Sequence, residues 1–249
     1  MNIDQSKKFT EFFTPVEGTR EVDFLILHHV AADSAEHALE QFCDHQVSSH
    51  FLIDEGGVIF SLVNENDIAY HAGVSYWQGF EALNKNSIGI EFVNKDPFAK
   101  NFTKPQMLAA VELLQYLIKK YSIKPQKILG HSDIAYVKET GLLDRKQDPS
   151  QFFDWKFLAE NGIGIFPTVD IIEDEKMFLL GDQDEEIENI KENLAKIGYK
   201  VSVMNDEFDE EMQCLVRVFH RHFNQAKFAD GTQDFWWKSS AEILLKLLP

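Results

Sequence analysis

Five side chains in this 249-residue chain are of the types that could together hydrolyse a bond with metal assistance: His28, Glu91, His131, Lys146 and Asp148. Two imidazoles and one carboxylate can hold zinc with one tetrahedral position left open for water. A single carboxylate leaves such a site net positive, which draws the pKa of the bound water towards about 7. Glu91 is the candidate general base for that water. Lys146, two residues before Asp148, could set an ammonium on a developing oxyanion.

Those residues must be carried by elements that end in one place. His28 closes the apolar run Phe24-Leu25-Ile26-Leu27, which reads as a strand buried on both faces. His131 follows a second short apolar run, Lys127 to Leu129, and Glu91 closes Ser87-Ile88-Gly89-Ile90. A polar, turn-prone loop then brings back Lys146 and Asp148. Between these runs, Ser34 reads as the N-cap of a helix over Ala35 to Gln46. Ser48 to Asp54 and Val58 to Val63 flank Glu55-Gly56-Gly57 as a hairpin. Residues 70–86 form a long aromatic loop. Thr103 caps a helix whose apolar face is Met107, Leu108, Val111, Leu114, Leu117 and Ile118. Phe152 to Ala159 begins a short helix. The alternation of strands and helices, with one hairpin, implies an α/β fold whose central sheet is mixed and flanked by helices.

Composition changes near Gly162 to Pro167. From Asp170 onward there are 18 acidic against 9 basic residues. Three helical patterns follow: Ile187, Ile190, Leu194 and Ile197, ended by Gly198; Met212, Leu215, Val216, Phe219 and Phe223; and Ala241 to Leu248. The expected organisation is a lead-in over 1–20, an α/β domain over 21–167 and a small three-helix C-terminal domain over 168–249.

The net charge of -17 excludes a general nucleic-acid binder, which needs a basic surface, and disfavours anionic membranes. Cys43 and Cys214 sit far apart in helical patterns and are expected to be free, buried thiols. Met1 to Thr10 is polar and lacks the apolar core of a signal peptide, so the expectation is a cytoplasmic chain. No stretch is apolar enough for a transmembrane helix.

Six motifs occur in order: Phe24 to His29; Val47-Ser48-Ser49-His50; His71-Ala72-Gly73-Val74-Ser75; Asn84 with Ser87 to Glu91; Gly130 to Ala135; and Asp144-Arg145-Lys146-Gln147-Asp148-Pro149. Together they resemble the zinc-dependent N-acetylmuramoyl-L-alanine amidases of the AmpD and AmiD type, relatives of the peptidoglycan recognition proteins. The resemblance covers about residues 20 to 167. More loosely, the tail resembles the peptidoglycan-binding-like domain of the AmiD branch. The resemblance implies that His28, His131 and Asp148 hold Zn2+, that Glu91 is the base and that Lys146 stabilises the tetrahedral intermediate. It places His29 and Asn84 in the substrate groove. His71 and Trp77, from the aromatic loop, join them as candidate substrate contacts, Trp77 by stacking on a sugar. The implied reaction is hydrolysis of the amide between N-acetylmuramic acid, or its 1,6-anhydro form, and L-alanine, so the expected partner is peptidoglycan or a muropeptide.

Two departures stand out. The interval from His131 to Asp148 carries extra residues around Val137 to Leu143, expected to bulge beside the metal, and this leaves Asp144 as an alternative ligand. Ala82 and Leu83 stand where relatives often carry an arginine before Asn84. A non-catalytic peptidoglycan-binding module and a zinc hydrolase of another amide are the rival readings. An AmiD-like tail would point to the envelope rather than the cytoplasm.

Overall fold

The computed structural model describes residues 3–7, 11–136 and 143–249. Most of the segment from Val137 to Leu143, whose bulge the sequence suggests, lies outside the described residues. The chain divides into two compact units. One takes Met1–Gly73, Ala82–His131 and Asp148–Gly164; the other takes Val74–Glu81, Ser132–Gln147 and Ile165–Pro249.

The first unit is built on a six-stranded sheet in the order Ile3–Asp4, Ile59–Ser61, Phe51–Ile53, Ser87–Val93, Phe24–Val30 and Ile128–Gly130. Only the pair Phe51–Ile53 and Ile59–Ser61 is antiparallel; every other pair is parallel. The sheet is therefore mixed, as the hairpin requires. Phe24 to Leu27 are all solvent-free, which is what four consecutive apolar residues on a strand covered on both faces should show. The Ile3–Asp4 strand at the sheet edge belongs to a lead-in whose polar sequence gives no strand signal.

The helix Ala35–His45 starts at Ser34, whose side chain accepts from the His37 amide, and stops at Gln46 in the left-handed region. Ala35, Ala38 and Phe42 bury against Val30, Leu52, Phe60, Leu62 and Val93. Cys43 is exposed, so the expected burial of both thiols holds for Cys214 alone. The helix Lys104–Tyr121 is capped by Thr103 and buries Gln106, Met107, Ala110, Leu113, Leu114 and Leu117. Its inner face is thus rotated from the one the sequence suggests, and Leu108 faces solvent. Small Ala110 permits close approach, and Gln106 has a structural task there: its side-chain amide donates to the carbonyls of Ile53 and Val93, the last residues of two strands.

The second unit contains the helices Glu185–Ile197, Glu210–Phe223 and Lys238–Leu247, together with the short Ala226–Ala229 helix. Leu194, Tyr199, Phe208, Met212, Leu215, Phe219 and Trp236 form its interior. Besides the tail it gathers two segments that the sequence alone assigns to the α/β region. The hairpin Tyr76–Trp77 with Phe80–Glu81 sets Trp77 edge-on to Tyr199, with ring centroids 4.8 Å apart. Asp133 accepts from the Tyr199 hydroxyl at 3.2 Å and pairs with His222 Nδ1 at 2.7 Å. Among the described residues, no helix is long and apolar enough to cross a membrane.

Candidate metal and active site

Parallel register assembles the site. Gly130 lies opposite Leu27, which brings His131, the next residue, level with His28. On the other side of the same strand, His28 lies opposite Glu91. Paired residues on adjacent strands project to the same face, so three candidate side chains are delivered together near the carboxyl ends of three parallel strands. The chain turns into the short helix His131–Ile134 at this point, where the sequence suggests a loop.

Asp148 completes the group. His28 Nδ1 is 3.0 Å from Asp148 Oδ2, and His131 Nδ1 is 3.1 Å from the same oxygen. Ligand atoms of His28, His131 and Asp148 all lie within 4.8 Å of one another. Donors bound to zinc at about 2.0–2.2 Å in a tetrahedron are spaced roughly 3.3 Å apart, so the donor types and the two nitrogen-to-oxygen spacings fit that ion. Burial would raise the Asp148 carboxyl. The charges and hydrogen bonds of His131 and His28 outweigh it and hold the carboxyl well below the usual carboxylate range. Asp144, the alternative ligand, is instead gripped by Arg221, whose two terminal nitrogens donate to its two oxygens at 3.0 and 3.2 Å.

The far side of each imidazole is also engaged. His28 Nε2 meets His71 Nδ1 at 3.0 Å, and His131 Nε2 meets the Ala72 carbonyl at 3.1 Å. His71 is buried, and burial, followed by the neighbouring His28, His50, His131 and Arg20, pushes its pKa well below the ordinary histidine value. Asn84 holds this loop, its side-chain oxygen accepting from the amides of His71 and Ala72 at 3.0 and 2.7 Å. Of the candidate substrate contacts, His71 and Asn84 are thus built into the support of the donor group. Sequence reasoning misses that support, because a hydrogen bond between strand and loop leaves no local spacing; the only signal is that both residues fall inside the ordered motifs.

His29 is half-buried. Its Nδ1 accepts from the Ser150 amide at 3.3 Å, and its ring meets exposed Phe98 edge-on at 5.1 Å. Glu91 is partly buried, with Oε2 shielded from solvent. Trp77 is 2 % exposed and belongs to the second unit, with neither ring face open for a sugar. Lys146 is half-buried, in the stretch grouped with that second unit, while Asp148 belongs to the first. His50, outside the donor group, accepts from the Gly89 amide at Nδ1 and lies 3.1 Å from the Asp67 carbonyl at Nε2.

Two buried imidazoles and a carboxylate converge at the carboxyl ends of parallel strands, a donor set that could hold a metal ion. The N-acetylmuramoyl-L-alanine amidase family, Amidase_2, matches residues 18–151, a span that contains all three donors. Over 242 residues the chain is 31% identical to the N-acetylmuramoyl-L-alanine amidase AmiD of Escherichia coli K12, covering 90% of this chain and 83% of that protein. It is 42% identical over 114 residues to the 1,6-anhydro-N-acetylmuramyl-L-alanine amidase AmpD of Haemophilus influenzae, 45% of this chain and 56% of that one. In structure it is similar to E. coli AmiD solved with anhydro-N-acetylmuramic acid-L-Ala-D-gamma-Glu-L-Lys, with a TM-score of 0.73 at 28% identity over 92% of this chain and 90% of that one. Pseudomonas aeruginosa AmpDH3 gives 0.70 at 27% identity, covering 94% of each. The chain belongs to the N-acetylmuramoyl-L-alanine amidase family, in the AmpD and AmiD type.

Proposed function

We propose that this chain is a zinc-dependent amidase that cleaves between the lactyl group of N-acetylmuramic acid, or its 1,6-anhydro form, and the L-alanine of a stem peptide. The observation that carries the reading is the convergence of His28 Nδ1 and His131 Nδ1 on Asp148 Oδ2. These three residues would hold the ion. A bound zinc would supply Lewis acidity for the scissile carbonyl and acidify a water. Glu91 takes the proton of the attacking water and passes it to the departing amine of L-alanine. Its register beside His28 supports that role. The Lys146 ammonium, carried on the loop that leads into Asp148, offsets charge on the carbonyl oxygen as it becomes tetrahedral. His29, between Phe98 and Ser150, borders the bound muramoyl group.

The relatives solved with ligands carry anhydromuramoyl peptides: AmiD in the complex named above and AmpDH3 with an anhydromuramic pentapeptide. A soluble anhydromuropeptide is therefore the proposed substrate. The test is incubation of the zinc-loaded protein with soluble anhydromuropeptide and, separately, with intact sacculi, followed by mass analysis. Release of a peptide with a free L-alanine amino group from the soluble fragment supports the proposal. Release from sacculi alone contradicts the substrate assignment, and release from neither contradicts the activity.

A further inference from the structure

Both candidate ligand histidines turn Nδ1 towards Asp148, and a neutral imidazole has one bare nitrogen and one N–H. Coordination through Nδ1 requires the N–H to sit on Nε2, and something must accept it. For His131 the acceptor is the Ala72 carbonyl. For His28 it is the Nδ1 of a second histidine, His71, which could equally be a donor. What decides the direction lies at the far side of the His71 ring.

His71 Nε2 is 3.2 Å from Ser87 Oγ, and that hydroxyl donates its own proton to the Leu83 carbonyl. With its proton committed, Ser87 Oγ can only accept, so His71 carries its proton on Nε2 and leaves Nδ1 bare. The chain of donation runs from His28 Nε2 to His71 Nδ1, from His71 Nε2 to Ser87, and from Ser87 to Leu83. Two further features keep the ring in this place. Asn84 clamps the amides of His71 and Ala72. Gly89 leaves room on the central strand: a Cβ there would fall 2.5 Å from the His71 ring.

We propose that His71 is a positioning residue of the metal centre, accepting the Nε2–H of His28 and thereby fixing His28 with a bare Nδ1 aimed at the donor group, with Ser87 setting the direction of the relay. His71 touches neither substrate nor reacting atoms in this assignment. The inference rests on the zinc reading above, and its test reads metal binding and tautomer rather than turnover.

The full chain is stripped of metal and titrated with zinc against a chromophoric chelator. His71→Leu, which removes the acceptor at similar bulk, is expected to weaken zinc binding about 10–100-fold, the usual size of an outer-shell loss. His71→Asn places an oxygen where Nδ1 stood and is expected to recover most of that loss, which mere packing would not produce. In ring-nitrogen NMR, His28 of the parent is expected in the Nε2–H form and in Ser87→Ala as a mixture of tautomers. Zinc affinity within about twofold of the parent in a cooperatively melting His71→Leu, against that outer-shell expectation, overturns the proposal. Where that variant does not fold, an unchanged affinity and an unchanged His28 spectrum in Ser87→Ala overturn it. A parent that takes up no zinc contradicts the metal reading itself, and a metal-free His28 that carries no proton on Nε2 then overturns the relay.

Discussion

Glu91 lies directly opposite His28 in the parallel register of the two central strands. The pairing sets a carboxylate beside a candidate metal-ligand residue by backbone hydrogen bonds alone, without a loop. If Glu91 is the base, Glu91→Gln keeps shape and removes proton acceptance. The expected result is full zinc binding with kcat lowered about 10²–10⁴-fold, the typical size of a general-base contribution. A Gln variant as fast as the parent removes Glu91 from the mechanism.

The aromatic loop divides along its length. Trp77 is buried against Tyr199, and a Cβ on Gly198 would fall 2.5 Å from its ring. Trp77→Ala should therefore act on folding, at about 3–5 kcal/mol for a large buried aromatic. Chemical denaturation measures this directly. A variant of parental stability but with weakened muropeptide binding would show that the ring recognises a sugar after all.

Arg221 is 2 % exposed and holds Asp144 through both terminal nitrogens. Breaking a buried pair by removing one partner leaves an uncompensated charge, at a cost of about 3–5 kcal/mol. Arg221→Met is expected to lose stability on that scale, and Arg221→Met with Asp144→Asn to regain part of it. A double-mutant cycle in denaturant checks the coupling, and simple additivity would contradict it.

His50 and His220 are both held neutral. Burial, then the Arg20 charge, lowers His50 to about 3, and burial lowers His220 to about 3. The unfolded chain takes up protons at these residues near about pH 6.5, whereas the folded chain does not until about 3. Between those values the unfolded state binds more protons, so stability falls as pH falls, by up to about 1.4 kcal/mol per pH unit for each group. Thermal unfolding of the metal-free protein should shift downward between about pH 6.5 and 4. Melting temperatures flat over that range would contradict the neutral assignment.

The placement of His28, Glu91 and His131 is legible in the sequence because each ends or closes an apolar run, and parallel pairing aligns such runs by their common burial. The mixed sheet is legible from one hairpin. What the sequence withholds depends on contacts distant in the chain. Ile3–Asp4 is too short and polar to read as a strand until its partner Ile59–Phe60 is known. Leu108 fits a helical apolar stripe but faces solvent, while Ala110 and Leu113 are buried in its place. The resemblance puts Asn84 in the substrate groove; the fold adds that its side-chain oxygen accepts from two amides of the His71 loop, a bond with no local spacing to announce it. Val74 to Glu81 read as part of the α/β region, yet Trp77 finds its partners in Gly198 and Tyr199.

The most direct test of the account is the rate of anhydromuropeptide hydrolysis as zinc is returned to chelator-treated protein. The predicted rate rises linearly, saturates at one zinc per chain and is absent in His131→Ala. A rate indifferent to zinc, or undiminished in His131→Ala, would contradict a metal centre of His28, His131 and Asp148.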